Sequence, residues 1–172
     1  RHILPIPVDM DFDQRQRLLF VVRNDGKLAT LTVFRAESVA AWTLHETDGS
    51  VLSVAVVWYE VYLLLARGGM HTIELFDDAL HLDCALTGEA ESPAETWSGL
   101  EHLEGRTVSV VADGIVREDC TVMDGAVILD EAASSVQIGL PYTHVIEPLP
   151  PGAAEGGAGR ALRLVEAVFR IE

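Results

Sequence analysis

The chain predicts an all-β protein: an antiparallel meander, propeller-blade-like or sandwich-like, followed by a small β-barrel or sandwich domain. Three observations carry this. Asp-Gly, Asn-Asp-Gly and Gly-Gly punctuate the sequence between short apolar runs, and these pairs supply the positive φ that tight hairpin turns require. The runs are rich in β-branched and aromatic residues. Helical periodicity is seen only in one ambiguous segment near the C-terminus.

Taken in order, the predicted strands are Leu18–Arg23, Leu28–Phe34, Val39–Leu44, Val51–Trp58, Val61–Ala66 and His71–Phe76. Proline is absent from all six. Val51 to Trp58 is apolar on both faces, which predicts a central, buried strand. Residues 1–78 are therefore read as one antiparallel sheet region, a propeller blade or one half of a sandwich. Residues 79–105 break the rhythm with Gly88, Ser92, Pro93, Ser98 and Gly99. They read as a connection, with at most a helical turn around Ala79 to Cys84.

A small barrel-like domain is predicted over 106–150. Val108, Val110 and Ala112 alternate with Thr107 and Ser109, and Val136, Ile138 and Leu140 with Ser135, Gln137 and Gly139. Residues 151–159 form a Gly/Ala linker. Residues 160–172 fit a returning strand through Val165, Ala167, Phe169 and Ile171, or a helix through Leu162, Val165 and Phe169.

Composition narrows the function classes. With 172 residues, 49% of them hydrophobic, the chain can bury a core. No apolar run has the length of a membrane span; Val51 to Ala66 is interrupted by Ser53, Trp58, Tyr59 and Glu60. No signal peptide is recognised at the N-terminus. The first residue is Arg1, so a piece of something longer is expected. The net charge of −15, from 12 basic and 27 acidic residues, disfavours phosphate-directed nucleic-acid binding. It suits a wall past which nucleic acid slides. Cys84 and Cys120 make no disulfide framework and read as small buried hydrophobes, reduced in the protein.

Candidate chemical motifs fail one by one. Asp9, Asp11 and Asp13 begin like a calcium loop, but its sixth and twelfth positions hold Gln14 and Phe20 in place of Gly and Glu. A solvated acidic segment is the expectation. His81, Asp83 and Cys84, or His71 with Glu74, lack a second ligand pair at suitable spacing. No Gly-x-Ser-x-Gly elbow occurs. A glycosidase carboxylate pair needs only closeness in space, so 27 acids carry no information about it. "GAAEGGAGR" lacks the Lys-Ser/Thr of a phosphate loop. Arg106, after Gly105 in "HLEGR", reads as a solvated charge at a strand entrance. The expectation is thus no catalytic, cofactor-binding or metal-binding residue, and no cofactor. Trp42, Trp58, Trp97, Tyr59 and Tyr142 read as core residues, with a stacking platform for sugars as the other possibility.

Several phrases together resemble a known family. "NDGKLATLTVFRAESVAAWTLHETDGSVLSVAVV" and "VYLLLARGGMHTIELF" are similar to the hub or nozzle protein (tail tubular protein B) of short-tailed bacteriophages. That family shows a "DG-lA-lTy" strand, a "Waw-hh-TDG-veSvav" hairpin and a "-R---iE-" strand. "DDALHLDCALTG" and "LEHLEGRTVSVVADG…VMDGAVILDEAASSVQIGLPYTHVIEPLP" match a later run, "HLeGktV-vladG", "G-i-L---as-V-vGLpY" and "-et-P". The likeness spans most of residues 20 to 150 and is collinear. Phe34 stands where Tyr is commoner and Pro148 where Thr often precedes the closing Leu-Pro, and the Gly/Ala linker is unusual.

The resemblance implies a non-catalytic structural protein of a phage or prophage tail, located in the virion and assembled in the host cytoplasm. For residues 1–78 it implies the end of a propeller-like domain. It implies a ring, a hexamer in the full-length family members, and contacts with other tail proteins. DNA would pass without specific binding, with no membrane and no small-molecule substrate. The alternative from residues alone is a carbohydrate- or peptide-binding β module of a cell-envelope protein.

Overall fold

The computed structural model describes residues 6–34 and 39–145, and the fold is all-β and antiparallel throughout. The strands belong to one compact unit that ends at Tyr142. Strands β1 (Pro7–Asp13), β2 (Leu18–Arg23), β3 (Leu28–Phe34) and β4 (Val39–His45) form a four-stranded meander in sequence order. Strands β5 (Ser50–Val57), β6 (Glu60–Arg67) and β7 (Met70–Phe76) form a second, three-stranded one. All six predicted strands are recovered within one residue of their ends; Val51–Trp58 shifts by one to Ser50–Val57.

The two meanders share one core: Phe20, Val22 and Leu28 from the first meet Val51, Val54, Val61, Leu63 and Leu65 from the second. Phe20 and Phe76 pack edge to face at 5.4 Å, and the His45 ring meets Phe76 in the same way at 5.3 Å. Burial holds the His45 pKa below its usual value, and the imidazole shares a 2.9 Å hydrogen bond with the Thr30 hydroxyl.

Strand β1 was not anticipated, and it explains the acidic run. Alternation turns Asp9 and Asp11 to the side of Val22 and Phe20, their partners on β2. From there their carboxylates reach β5. Asp9 Oδ2 accepts from Ser53 Oγ at 2.5 Å and Val54 N–H at 3.1 Å, and Asp11 Oδ2 accepts from Val56 N–H at 2.7 Å. Asp13 is buried and caps the following turn, accepting from the Arg15 N–H at 2.8 Å. The expected solvated segment is therefore a row of carboxylates standing in for a neighbouring strand.

This corrects the expectation for Val51 to Trp58. β5 is an edge strand of its sheet, with Leu52 and Val57 exposed, and Trp58 lies beyond its end in a turn. Apolarity on both faces did not mean burial on both, because the edge is protected by the carboxylates of β1.

The second correction is larger. The expected connection over 79–105 contains β8 (Asp83–Ser98), and the only helical element among the described residues is a 3-10 turn at Glu101–Leu103. Around Ala79 there is a turn closed by Leu80 N–H to Asp77 C=O at 3.4 Å. β8 pairs along its length with β12 (Ala126–Leu140) and so belongs to the small domain. Ser92 and Pro93 fall where pairing lapses, between the Glu89–Ser135 and Ala94–Ala133 pairs, which leaves Pro93 in a bulge, whereas Gly88 and Ser98 are paired with Val136 and Ala126.

The bulge bends the strand. A straight nine-residue stretch would hold Gly88 and Trp97 about 30 Å apart. Instead the Trp97 indole lies directly over Gly88, where a Cβ would stand 2.7 Å from the ring. β12 has its own pairing irregularities between Ile128 and Ser135.

The rest of the domain closes on that bent pair. β9 (Thr107–Ala112) pairs with the second half of β12, and β10 (Ile115–Val116) and β11 (Cys120–Thr121) share its other edge. Val108, Val110, Ala112, Val136 and Ile138 are buried as the alternation predicted, joined by Leu100, Leu103, Val122, Val127 and Leu129. Residues 146–150 of the predicted domain, the linker at 151–159 and the segment at 160–172 lie outside the described residues.

Two outcomes test this architecture. Ile138 is 2% exposed and faces Val110 across the pair, so Ile138→Ala should lower stability by about 2–5 kcal/mol in urea unfolding. The Asp9 carboxyl is held below its usual pKa, first by the Ser53 hydroxyl and then by the Val54 N–H. A depressed folded pKa adds stability above the unfolded value and loses it as pH falls through the folded one. Stability should therefore decline below about pH 3.8, and Asp9→Asn should flatten that part of the melting-temperature profile.

Candidate polar joint

The most densely bonded polar cluster lies where the two β regions meet. Its members come from five places: the β4–β5 turn (Thr47, Asp48), the end of β6 (Arg67), β7 (Thr72, Glu74), the start of β8 (Asp83) and the residue before β9 (Arg106).

Arg67 is its centre. Alternation puts Arg67 on the face of Leu65 and Leu63, so its stem continues the core and its guanidinium ends where the apolar contacts stop. The side chain is only 10% exposed. A buried guanidinium needs acceptors, and Nη2 donates to both Glu74 oxygens, at 3.2 and 3.0 Å, and to Thr47 Oγ1 at 3.0 Å. Nη1 donates to the Asp48 carbonyl and lies 3.7 Å from Asp83 Oδ2. Thr72 Oγ1 steadies Glu74 at 2.8 Å.

Asp83 is the second anchor. It accepts from Thr47 Oγ1 at 2.7 Å and from the Asp48 N–H at 2.9 Å, so the start of β8 is hooked onto the β4–β5 turn. Arg106 Nη1 meets Asp48 Oδ2 at 2.7 Å. That pair is half exposed and contributes little alone. The loop that carries Arg106 is tied to the β11–β12 turn: Glu104 accepts from the Asp124 and Gly125 N–H groups at 3.1 and 2.8 Å.

The other sequence candidates disperse. Glu74 is committed to Arg67, and His71 pairs with Ala66 on the opposite face of the sheet. Asp9 and Asp11 bind β5, and Asp13 its own turn. Among the described residues no three His, Cys, Asp or Glu side chains converge as a metal site. Both cysteines are free. Burial, then the Asp83 charge beside it, pushes the Cys84 thiol up to about 12. Burial and then neighbouring acids raise Cys120 as well. Neither thiol is an activated nucleophile.

The aromatic residues separate. Trp97 packs against the small-domain core and donates to the Ala94 carbonyl at 3.2 Å. Trp42 is partly buried, whereas Trp58 and Tyr59 are 89% and 62% exposed at the β5–β6 tip. For Trp58 and Tyr59 the core reading is therefore corrected: they occupy a turn, outside the alternation that buries strand residues.

Comparison of the chain with described protein families and with curated proteins finds no match. The cluster nonetheless gathers residues from separate phrases of the sequence: Thr47 and Asp48 of "TDG", Arg67 and Glu74 of "ARGGMHTIELF", and Arg106 of "HLEGR". Sequence reading saw Asp48 as a turn residue and Asp83 as an unlikely ligand. The signal that both serve one joint was their proximity in space, which no spacing encodes.

Removing the central charge strands its acceptors. Arg67→Met should lower stability by about 1.5–3 kcal/mol, read as a shift in the urea midpoint, whereas Arg106→Met should change it by less than about 1 kcal/mol.

Proposed function

We propose that the chain is a structural, non-catalytic part of a phage or prophage tail, belonging to a ring-shaped hub or nozzle around the DNA-ejection channel. The observation that carries the reading is the convergence at Arg67. Phrases up to about 60 residues apart, which resemble tail-hub motifs in the same order, supply the partners of a single joint. Residues that recur for structural reasons should meet in this way. Except for the buried Arg67 Nε, the polar groups there are occupied by one another, which suits a structural part better than a reacting one.

The acidity agrees with passage of DNA. At −15 the chain repels a phosphate backbone, and screening over about 8 Å at physiological salt limits the effect to a narrow bore. A second reading, a sugar- or peptide-binding module, draws on the exposed Trp58–Tyr59 pair; quenching of tryptophan fluorescence by oligosaccharides would favour it.

Peptides of this chain should be found by mass spectrometry in particles purified after prophage induction, and their absence from intact tails overturns the proposal. The isolated chain should also leave duplex DNA unshifted in a mobility assay near physiological salt, where micromolar binding would contradict a passive channel wall.

A further inference from the structure

The edges of the sheets are guarded to different degrees. β5 is covered by the carboxylates of Asp9 and Asp11. β1 opens on Pro7 with a register shift, and β8 carries Pro93 in a bulge. Such devices keep an unpaired ladder from meeting another chain. β7 has none of them. All seven of its residues, Met70–Phe76, pair with β6 in unbroken register, without Pro, Lys or a bulge. Among the described residues β6 is its only ladder partner. Its one carboxylate gives no protection, because Glu74 is turned to the inner face and held there by Arg67 and the Thr72 hydroxyl.

The register fixes what this edge offers. The Gly68-Gly69 turn is closed by the Arg67–Met70 pair, and in such a hairpin the closing pair exchanges its backbone hydrogen bonds. Counting in twos, Leu65–Thr72, Leu63–Glu74 and Val61–Phe76 do the same. His71, Ile73 and Leu75 therefore turn their N–H and C=O groups away from β6, towards the open edge. Their side chains lie on the outer face of the sheet, where Ile73 is 74% and Leu75 49% exposed. Tyr62 and Leu64 of β6 and Val57 of β5 share that face. The result is a continuous apolar surface rather than scattered exposed side chains.

We infer that β7 pairs with β7 of a second copy, antiparallel about a two-fold axis at Ile73, so that two three-stranded sheets become one of six strands. Self-complementarity selects this occupant. In this register Ile73 lies beside Ile73 of the second copy, and His71 beside its Leu75. Every outward N–H and C=O then has a partner, about six hydrogen bonds in all. Thr72 falls opposite Glu74, and Asp77, just past the strand, opposite Gly69. On a chain of charge −15 most strand contacts between copies would set acid against acid, and like charges directly opposite resist pairing. Here no carboxylate meets another. The main-chain bonds supply the affinity, and the alternate apolar side chains set the register. The contact is isologous and closes at two copies. It is independent of the tail reading, whose ring needs a different, heterologous surface.

The test uses the full chain in sedimentation velocity over a concentration series, with amide hydrogen exchange on the same samples. Wild type should dimerise as concentration rises, and exchange at the N–H groups of His71, Ile73 and Leu75 should slow with it. Ile73→Lys sets two ammonium groups against each other across the axis, and Ile73→Glu two carboxylates. Each should weaken association at least about tenfold. Position 73 is exposed, so both variants should melt close to wild type. Mixed in equal amounts, the two variants should recover a dimer, since lysine then meets glutamate. Ile128→Lys, at a similarly exposed isoleucine of β12, should leave association unchanged. Wild type that stays monomeric overturns the inference, and so does a dimer indifferent to Ile73→Lys. Variants that fail to pair with each other, or a dimer without slowed exchange at the three amides, overturn the two-fold register. The tail reading stands or falls separately, by mass spectrometry of the particles.

Discussion

A buried guanidinium needs acceptors, and the placement of Arg67 follows from that. Its stem belongs to the core of the two meanders and its head must find acceptors where the apolar contacts end. Glu74, Thr47, the Asp48 carbonyl and Asp83 supply them. Meeting that requirement positions the β4–β5 turn, anchors the start of β8 and brings the Arg106 loop alongside. A cavity beside the joint is a by-product of the same geometry: its wall is made from the residues that hold the joint and the end of β12.

The second organising device is edge protection by side chains. β5 is the edge of its sheet, and an unpaired edge invites association with foreign strands. Asp9 and Asp11 cover it by accepting its N–H groups, which links the meanders without joining their ladders. Part of the acidity thus has a structural task.

Curvature is the third. β8 and β12 form the longest pair in the protein, and a flat ribbon of that length could not enclose a core. Pairing lapses around Pro93 and between Ile128 and Ser135 let the ribbon fold, so that Val127 and Leu129 from one half of β12 join Val136 and Ile138 from the other. Gly88 is then required to be bare because Trp97 rests on it.

How much was legible follows from how local each cause is. The hairpins of β2 to β7 could be read because alternation and turn chemistry act within a few residues: Gly68-Gly69 must turn, and Val61, Leu63 and Leu65 must share a face. The same holds for Val108, Val110 and Ala112. β8 was missed because its serine and proline signals are local, while the bulge that accommodates Ser92 and Pro93 exists only against β12. β1 was missed because alternating aspartates look solvated until β5 presents its N–H groups to them. Asp48, Arg67, Asp83 and Arg106 each looked ordinary alone. By itself the sequence determined the β class, the turns and the inward faces, since these depend on neighbours along the chain. The tertiary structure alone decided the strand that bends, the edge that carboxylates cover, the joint around one arginine, and the tryptophan left outside the core, because each depends on residues that meet only after folding.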